Sequence, residues 1–216
     1  GIDPSRWVFL HGHADTRERP LMQRPDLSRG PAAAAAVQHA LAVAQIGLDD
    51  VAHLDIYSCF PIAVSNVIDP LGIDADDPRG LTLTGGLPFF GGPGNNYSMH
   101  AIAEAVDRCR GERDSFALVA ANGGILSKTS VGIYSTRPTA WSPDDSSGVQ
   151  EVLDAAPRVQ TSDYADGPAT IEGFTVMPGR DGSRTGIVIG RLDSGRRFIA
   201  TVATDDESMF ELLATD

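Results

Sequence analysis

Short apolar runs and longer helical segments alternate along the first two thirds of the chain. Runs bounded by glycine or polar residues predict strands at residues 7–11, 54–57, 79–84, 116–121 and 129–136. Segments with helical spacing or high alanine content predict helices at residues 31–44, 62–71 and 96–110. The order β-α-β-α-β-α-β-β, with helices crossing between strands, predicts an α/β layer around a mixed, largely parallel sheet.

The three predicted helices differ in their apolar surfaces. The helix at residues 31–44 opens with Pro31 and is rich in alanine, so it leaves little side-chain bulk and allows close packing. The helix at residues 62–71 is apolar around most of its circumference, which predicts burial on more than one side. The helix at residues 96–110 has one apolar stripe that includes Cys109, and we assign this cysteine to core packing.

The pattern changes after Arg137. Residues 138–148 are rich in proline, serine and aspartate, which indicates a linker. Beyond them, short alternating runs separated by Gly and Asp turns predict a β-meander or small barrel, with no helix before the acidic tail. We expect an α/β domain at residues 1–138, a linker at 139–160 and a small antiparallel, barrel-like β domain at 161–216 that lacks its last strand.

Composition and charge exclude several classes of partner. The net charge of −12 over 216 residues argues against unaided binding to nucleic acid or anionic membrane, because phosphate neutralisation needs Lys and Arg. The β domain also has too few aromatic residues for the stacking platforms that bind single strands. No apolar stretch is long enough for a membrane span. Two cysteines are too few for a disulfide framework, which favours a cytoplasmic location.

A glycine-rich stretch at residues 84–100 is the first candidate ligand site. It carries five glycines and enters a helix whose first turns contain asparagine, serine and histidine. Glycine lets the backbone approach a ligand closely, and a helix N-terminus supplies unpaired N–H groups at a positive dipole end. The stretch therefore suits an anionic or carbonyl-bearing ligand, or else it is a tight loop packed under another segment.

Cys59 and His100 are the candidate groups for nucleophilic acyl transfer. Cys59 directly follows a predicted strand, where functional side chains are common, although a free cysteine is also a frequent core residue. His100 lies one turn into the helix after the glycine stretch, so it is better placed for a ligand than His39 or His53. The alternative for His100 is a structural role.

Three motifs in combination resemble the C-terminal half of a thiolase. They are Tyr57-Ser58-Cys59-Phe60 after the second strand, the spacing of Gly85-Gly86 and Gly91-Gly92-Pro93, and the turn Asn122-Gly123-Gly124. At the first of these positions ordinary thiolases carry Asn-Glu-Ala-Phe, and the sterol-carrier type carries His-Asp-Cys-Phe. The resemblance extends over residues 7–136 and implies the C-terminal half of the thiolase fold.

The same resemblance exposes two departures from the catalytic pattern. Gly92 stands where thiolases have the loop histidine, and Asn122 stands where they have the acid/base cysteine. Loss of one oxyanion donor costs about 10²–10³ in rate, and an asparagine amide cannot serve as a general base. Cys59 matches the cysteine of the sterol-carrier motif and not the acylated nucleophile. The resemblance therefore argues against ordinary thiolase activity from this chain alone and leaves open whether it is an enzyme.

The pattern is most similar to the thiolase-like proteins of type one, which carry an additional C-terminal β-barrel domain. The resemblance implies that the N-terminal thiolase half lies outside this chain, which begins without an initiator methionine or leader pattern. Without that half, the helix at residues 62–71 would expose an apolar patch of a kind that soluble monomers rarely tolerate. We therefore expect the missing half, a partner chain or self-association to cover this face.

Two functions follow from the resemblance and stay open. The first is an acyl-CoA-handling protein, similar to the acetyl-CoA acetyltransferases of lipid metabolism, with altered catalytic groups. The second is a non-catalytic acyl-CoA binder or scaffold that associates through the exposed face. A coenzyme A thioester would be the substrate or ligand, and we expect neither a bound cofactor nor a metal. The candidate catalytic residues are Tyr57, Cys59, His100 and Asn122, and the candidate CoA-contacting residues are Gly91, Gly92, Asn95 and Asn96.

Overall fold

In the computed structural model, which describes residues 3–214, four strands form the sheet of the N-terminal part in the order β1-β4-β3-β2. β2 and β3 are parallel, whereas β4 is antiparallel to both of its neighbours. The sheet is mixed, as predicted, but the expectation that it is largely parallel is wrong. The strands are β1 (Phe9–Arg17), β2 (Val51–Ile56), β3 (Phe116–Gly123) and β4 (Lys128–Ser135).

The predicted strand at residues 79–84 is instead an irregular segment beside the end of β2. A backbone hydrogen bond of 2.9 Å joins it to that strand, from the amide of Ile56 to the carbonyl of Leu81. Farther along, the amide of Leu83 donates to the carboxylate of Asp55 at 2.8 Å. The Leu83 amide therefore binds the Asp55 side chain and not the backbone of β2, so the segment does not continue as a fifth strand.

Helices pack on both faces of this sheet and form two cores. α1 and α2 pack with Leu118 in the larger core, whereas α4 places Cys109 against Val119 in the second. Residues 118 and 119 point to opposite faces because side chains alternate along a strand. The packing role predicted for Cys109 is confirmed. The helices of the N-terminal part are α1 (Pro31–Ala44), α2 (Pro61–Leu71), α3 (Leu87–Phe90), α4 (Tyr97–Gly111) and α5 (Ser147–Ala155).

α2 is buried on one side within the described chain. Ala63, Val67 and Ile68 face the core, but Ile62 is 45% exposed. The expectation of burial on more than one side is therefore not met by this chain itself. The apolar patch that the sequence predicts on the open side is present.

The described residues divide into two compact units. The first contains Arg29–Ala155 and the residues up to Glu18, and the second contains Arg19–Ser28 and the residues from Ala156 onward. In the second, three strands form an antiparallel sheet in the order β5-β6-β7. This sheet is open, so the expectation of a barrel-like domain is wrong in that respect, because three strands are too few to close. Its elements are β5 (Ala169–Pro178), β6 (Arg184–Leu192), β7 (Arg197–Thr201) and α6 (Glu207–Leu213).

Two short helices were not predicted from the sequence. α5 lies within the predicted linker, and α6 lies in the acidic tail. α6 begins with a capping hydrogen bond, in which Asp206 accepts from the amide of Met209 at 3.0 Å. Before α5, Asp145 accepts from the amide of Ser147, its first residue, at 3.0 Å. Both helices are short, nine and seven residues, so they give little periodic signal in the sequence.

A buried arginine organises the second unit. Arg197 is 1% exposed, and its Nε donates to Glu172 at 2.6 Å. Its Nη1 donates to the carbonyls of Met22 and Arg24, at 3.0 and 2.6 Å, and so ties the segment Arg19–Ser28 to the sheet. The hydrogen bond from Arg197 is the largest of the effects that lower the pKa of Glu172.

Replacement of this arginine should destabilise the second unit. We expect Arg197→Met to lower its free energy of unfolding by about 2–3 kcal/mol, since the carbonyls of Met22 and Arg24 lose the buried donor that they share. Arg191→Met is the matched control, because Arg191 binds the same carboxylate at 2.7 Å but is 32% exposed; its cost should be about 1 kcal/mol or less. Urea-dependent hydrogen exchange of β5–β7 measures both.

The pH dependence of the same variant follows from Glu172. Because the pKa of Glu172 is lowered in the folded chain, its pairing stabilises above the ordinary value of 4.5 and is lost as pH falls through the folded value. The stability difference between wild type and Arg197→Met should therefore shrink in acid. A difference that is constant down to acid pH, or equal losses for the two arginine variants, would contradict the assignment.

Gly12 sets the contact between α1 and β1. A Cβ at this position would lie 2.1 Å from the carbonyl oxygen of Ala40 and 2.8 Å from the Cβ of Ala44. The helix backbone therefore lies directly on the strand, as the alanine-rich sequence of α1 predicts.

We expect Gly12→Ala to lower the free energy of unfolding by about 1–3 kcal/mol, because a backbone oxygen cannot yield without movement of α1. Gly111→Ala is the control, since outside its own helix turn and chain neighbours no described atom lies within 4 Å of a Cβ there, and it should be neutral or stabilise by up to about 1 kcal/mol. Urea unfolding followed by tryptophan fluorescence measures both, and similar stabilities for the two variants would refute the contact.

Candidate functional site

Two predicted site residues from distant parts of the chain meet at the C-terminal ends of β2 and β3. Parallel strands end at the same edge of a sheet, which is where ligands commonly bind in α/β folds. Asn122 lies near the end of β3, and Cys59 follows β2. The side-chain amide of Asn122 donates to the Sγ of Cys59, a free and half-buried thiol, with 3.7 Å between the atoms. The structure therefore brings two of the four predicted catalytic residues into contact.

Tyr57 continues the line of β2 at the same edge. Its amide donates to the carbonyl of Ala120 at 3.0 Å, and its ring packs edge-on against Tyr97 with 5.0 Å between centroids. Tyr57, Asn122 and Asn66 line a small, partly open cleft that encloses about 20 Å³, the space of roughly one water molecule. It combines hydroxyl and amide groups with the Glu18 carboxylate and small apolar side chains, and the hydroxyl and amide donors can bind a carbonyl oxygen.

The glycine loop, residues 84–96, is exposed over most of its length. Gly86 is buried, and its φ of 81° lies in the region that favours glycine. A Cβ at Gly86 would lie 2.7 Å from the Oγ of Ser58, which follows β2. The loop therefore approaches the end of β2 more closely than any other residue type would allow.

The predicted CoA-contacting residues lie on the exposed part of the glycine loop. Gly91 and Gly92 follow α3, and Asn95 and Asn96 belong to a short 3₁₀ turn before α4. Around Gly92 there is free space, since a Cβ would meet its nearest described neighbour, the Cδ2 of Leu87, at 4.0 Å. Chain neighbours aside, no other atom in the described part of the chain lies within 4 Å of that Cβ position.

His100 belongs to a separate cluster. The side-chain amide of Asn96 donates to the Nε2 of His100, with 3.2 Å between the nitrogens. The centroid of the Phe90 ring lies 5.0 Å from that of the His100 ring. Among residues 3–214, no hydrogen bond joins His100 to Cys59 or Asn122. The structure thus divides the predicted catalytic residues into a pair at the strand ends with Tyr57 beside it, and His100 on α4.

Sequence analysis missed Asp55 and Tyr97, which fix the base of the glycine loop. Asp55 is 1% exposed, and its carboxylate accepts from the amides of Leu83 and Thr84 at 2.8 and 3.3 Å. The hydroxyls of Thr84 and Tyr97 lie 2.6 Å apart. Burial raises the pKa of both Asp55 and Tyr97. An acid inside a predicted buried strand is the signal that could have identified Asp55, because buried carboxylates need partners.

The described residues form no metal centre. Between residues 3 and 214, no group of three or more His, Cys, Asp or Glu side chains could hold a metal ion. No helix in this range has the length and apolar character to cross a membrane. The polar groups that face the cleft are the Tyr57 phenol, the side-chain amides of Asn66 and Asn122, the Thr129 hydroxyl and the Glu18 carboxylate. This carboxylate accepts from the amide of Ala32 at 2.9 Å.

The position of Gly86 gives a test of the loop geometry. Gly86→Ala should displace the loop at a cost of about 1–3 kcal/mol, because it combines a positive φ with a clash against Ser58. Gly92→Ala, in free space, is the matched control. Hydrogen exchange of residues 84–96 should rise at least tenfold in the first variant and stay unchanged in the second. Equal exchange in both variants would be inconsistent with the close approach.

The chain resembles known proteins over its whole length. The family model described as "Thiolase-like protein type 1 additional C-terminal domain" matches residues 148–216. The crystal structure of a monomeric SCP2-thiolase-like protein type 1 from Mycobacterium smegmatis is 55% identical with a TM-score of 0.93. That match covers 100% of this chain but 47% of the relative, so this chain spans about half the relative's length. The search of curated proteins found no match.

Two thiolases are more distant matches. Human mitochondrial 3-ketoacyl-CoA thiolase is 16% identical with a TM-score of 0.46, and the match covers 59% of this chain and 30% of that one. Acetyl-CoA acetyltransferase from Bacillus anthracis is 13% identical with a TM-score of 0.43 over the same shares. The family resemblance noted in the sequence is confirmed by the match to the M. smegmatis protein. The chain belongs to the thiolase-like protein type 1 family.

Proposed function

We propose that this chain contributes an acyl-CoA-binding site at the ends of β2 and β3. The observation that carries the proposal is the contact between the Asn122 amide and the Cys59 thiol, beside the cleft that Tyr57 lines. By family resemblance, Tyr57, Cys59 and Asn122 stand at motif positions that line the thioester site of thiolases. Their convergence at one sheet edge supports a common ligand.

Each group has a role that its chemistry allows. The Asn122 amide has two N–H donors, so one can bind Cys59 while the other donates to a thioester carbonyl. The Tyr57 hydroxyl is a second donor for the same oxygen. Gly91, Gly92 and the asparagines of the following turn offer an exposed, uncharged backbone to the CoA moiety. His100, paired with Asn96, lies on the helix that follows.

Binding or altered acyl transfer fits these residues better than ordinary thiolysis. Asn122 cannot accept the proton that a thiolase cysteine would take. Gly92 offers no side-chain donor, and removing one such donor costs about 10²–10³ in rate. The proposal is therefore an acyl-CoA-handling protein with an altered catalytic set, related by family resemblance to acyltransferases of lipid metabolism in a reducing cytoplasm.

The open side of α2 supports a further part of the proposal. Phe60 is 64% exposed and Ile62 is 45% exposed, and both lie at the start of this helix. An exposed apolar face of this kind marks a contact surface. We infer that an N-terminal thiolase half or a partner chain covers it and completes the acyl-CoA site. A scaffold that uses this face without binding CoA is the second candidate, favoured by the same exposed residues.

Calorimetric titration with CoA and acetyl-CoA tests the proposal. We expect binding to the 216-residue chain that is roughly five- to tenfold weaker in Tyr57→Phe and His100→Ala, as expected for loss of one hydrogen bond. Tyr164→Phe is the control, since Tyr164 is 86% exposed in the second unit. Absence of binding at about 1 mM ligand would refute the proposal, and stable complexes lost in Ile62→Asp would then favour the scaffold.

A further inference from the structure

Asp55, Thr84 and Tyr97 form a hydrogen-bond network under the glycine loop. The Oδ2 atom of Asp55 accepts from the Thr84 amide at 3.3 Å and from the Thr84 hydroxyl at 3.4 Å. Because the Thr84 hydroxyl has one proton, its donation to Asp55 leaves its oxygen to accept from the hydroxyl of Tyr97 at 2.6 Å and from the amide of Gly86 at 3.2 Å. The Thr84 hydroxyl then donates once and accepts twice, so its full hydrogen-bonding capacity is used.

Tyr97 connects this hydrogen-bond network to the aromatic residues around it. It is 1% exposed and begins α4. Its ring lies 5.0 Å from the ring of Tyr57 and 6.2 Å from that of Phe90, edge-on to both. Phe90 in turn contacts His100 with 5.0 Å between ring centroids. One buried tyrosine thus touches, directly or through one neighbour, two of the proposed ligand-binding side chains.

The two ends of the glycine loop meet at this hydrogen-bond network. Thr84 precedes the loop's glycines, and Tyr97 follows its last residue. Residues 88–96 between them are all exposed, whereas Gly86 and Tyr97 are buried. The exposed part of the loop is therefore held at its base, and the base is anchored on a side chain of β2.

We propose that Asp55, Thr84 and Tyr97 are positioning residues that close the base of the glycine loop and hold its exposed backbone ready for the acyl-CoA ligand. The choice of acyl-CoA as the ligand rests on the proposed function, whereas the closure of the loop base rests on the hydrogen bonds alone. Asp55 acts through Thr84 and Tyr97 and does not itself touch the ligand.

Tyr97→Phe is the main test, because it removes one hydroxyl and keeps the ring contacts. We expect hydrogen exchange of residues 84–96 to rise about tenfold, while α1 and β3 stay protected. Affinity for CoA should fall roughly five- to tenfold. Tyr134→Phe, on β4, is the matched control and should leave the loop unchanged. Exchange that rises throughout the unit, or equally in both variants, would overturn the proposal.

A spectroscopic measurement separates positioning from general stabilisation. Desolvation raises the pKa of Asp55, and the neighbouring Tyr97 stays neutral because burial raises its pKa too. In ¹⁵N–¹H spectra, the amides of Leu83 and Thr84 should titrate together with a midpoint above the ordinary aspartate value. They should not titrate in Asp55→Asn, and titration that persists in this variant would overturn the assignment.

The two proposals can fail separately. If the wild-type chain does not bind CoA but Tyr97→Phe loosens the loop and the Leu83 and Thr84 amides titrate with Asp55, the positioning role stands and the ligand is wrong. If CoA binds equally to wild type and Tyr97→Phe and the loop exchange is unchanged, the positioning role is wrong and acyl-CoA binding stands.

Discussion

The parallel pairing of β2 with β3 is the constraint on which the candidate site depends. Parallel strands require a long crossover, and here α2, the glycine loop and α4 all belong to it. The crossover leaves the C-terminal edge of β2 and returns to that edge at Leu81, where a backbone hydrogen bond meets Ile56. Cys59 and Asn122, 63 residues apart, meet there for the same reason. A different pairing of β2 would separate the loop and both side chains.

Each of the two units is stabilised internally by a different kind of interaction. The first has a larger core rich in Leu, Ile and Val and a smaller one built on small side chains, and Gly12 brings the backbone of α1 onto β1. The second has a small open sheet, and buried Arg197 holds a separate segment of the chain through carbonyl and carboxylate hydrogen bonds. Small sheets bury little apolar surface, so polar contacts carry more of their stability.

Sequence periodicity predicted what depends on local signals and missed what depends on single side chains. α1, with its proline and alanines, was predicted at its observed bounds, and the strands that bury apolar runs were found. The apolar pattern of residues 79–84 predicts a strand, but the amides of Leu83 and Thr84 bind the Asp55 carboxylate, which periodicity cannot show. α5 and α6, of nine and seven residues, are too short to show a clear helical period, and α6 begins on an aspartate cap. The sequence motifs indicated Cys59, Asn122 and His100 as candidates but did not predict which of them would meet. Cys59 contacts Asn122, whereas His100 lies in another cluster, since spacing along the chain does not fix distance.

The free space around Gly92 separates the shape of the loop from its chemistry. Its φ lies outside the left-handed region, and a Cβ at this position would lie no closer than 4.0 Å to any described neighbour. A larger residue can therefore be introduced here without a clash at its Cβ, at a cost set mainly by the rotamer entropy of its own side chain. At Gly86 the reverse holds, because a Cβ there would lie 2.7 Å from the Oγ of Ser58. The path of the loop is thus fixed at its buried base, while the residue type at its exposed tip is free to vary.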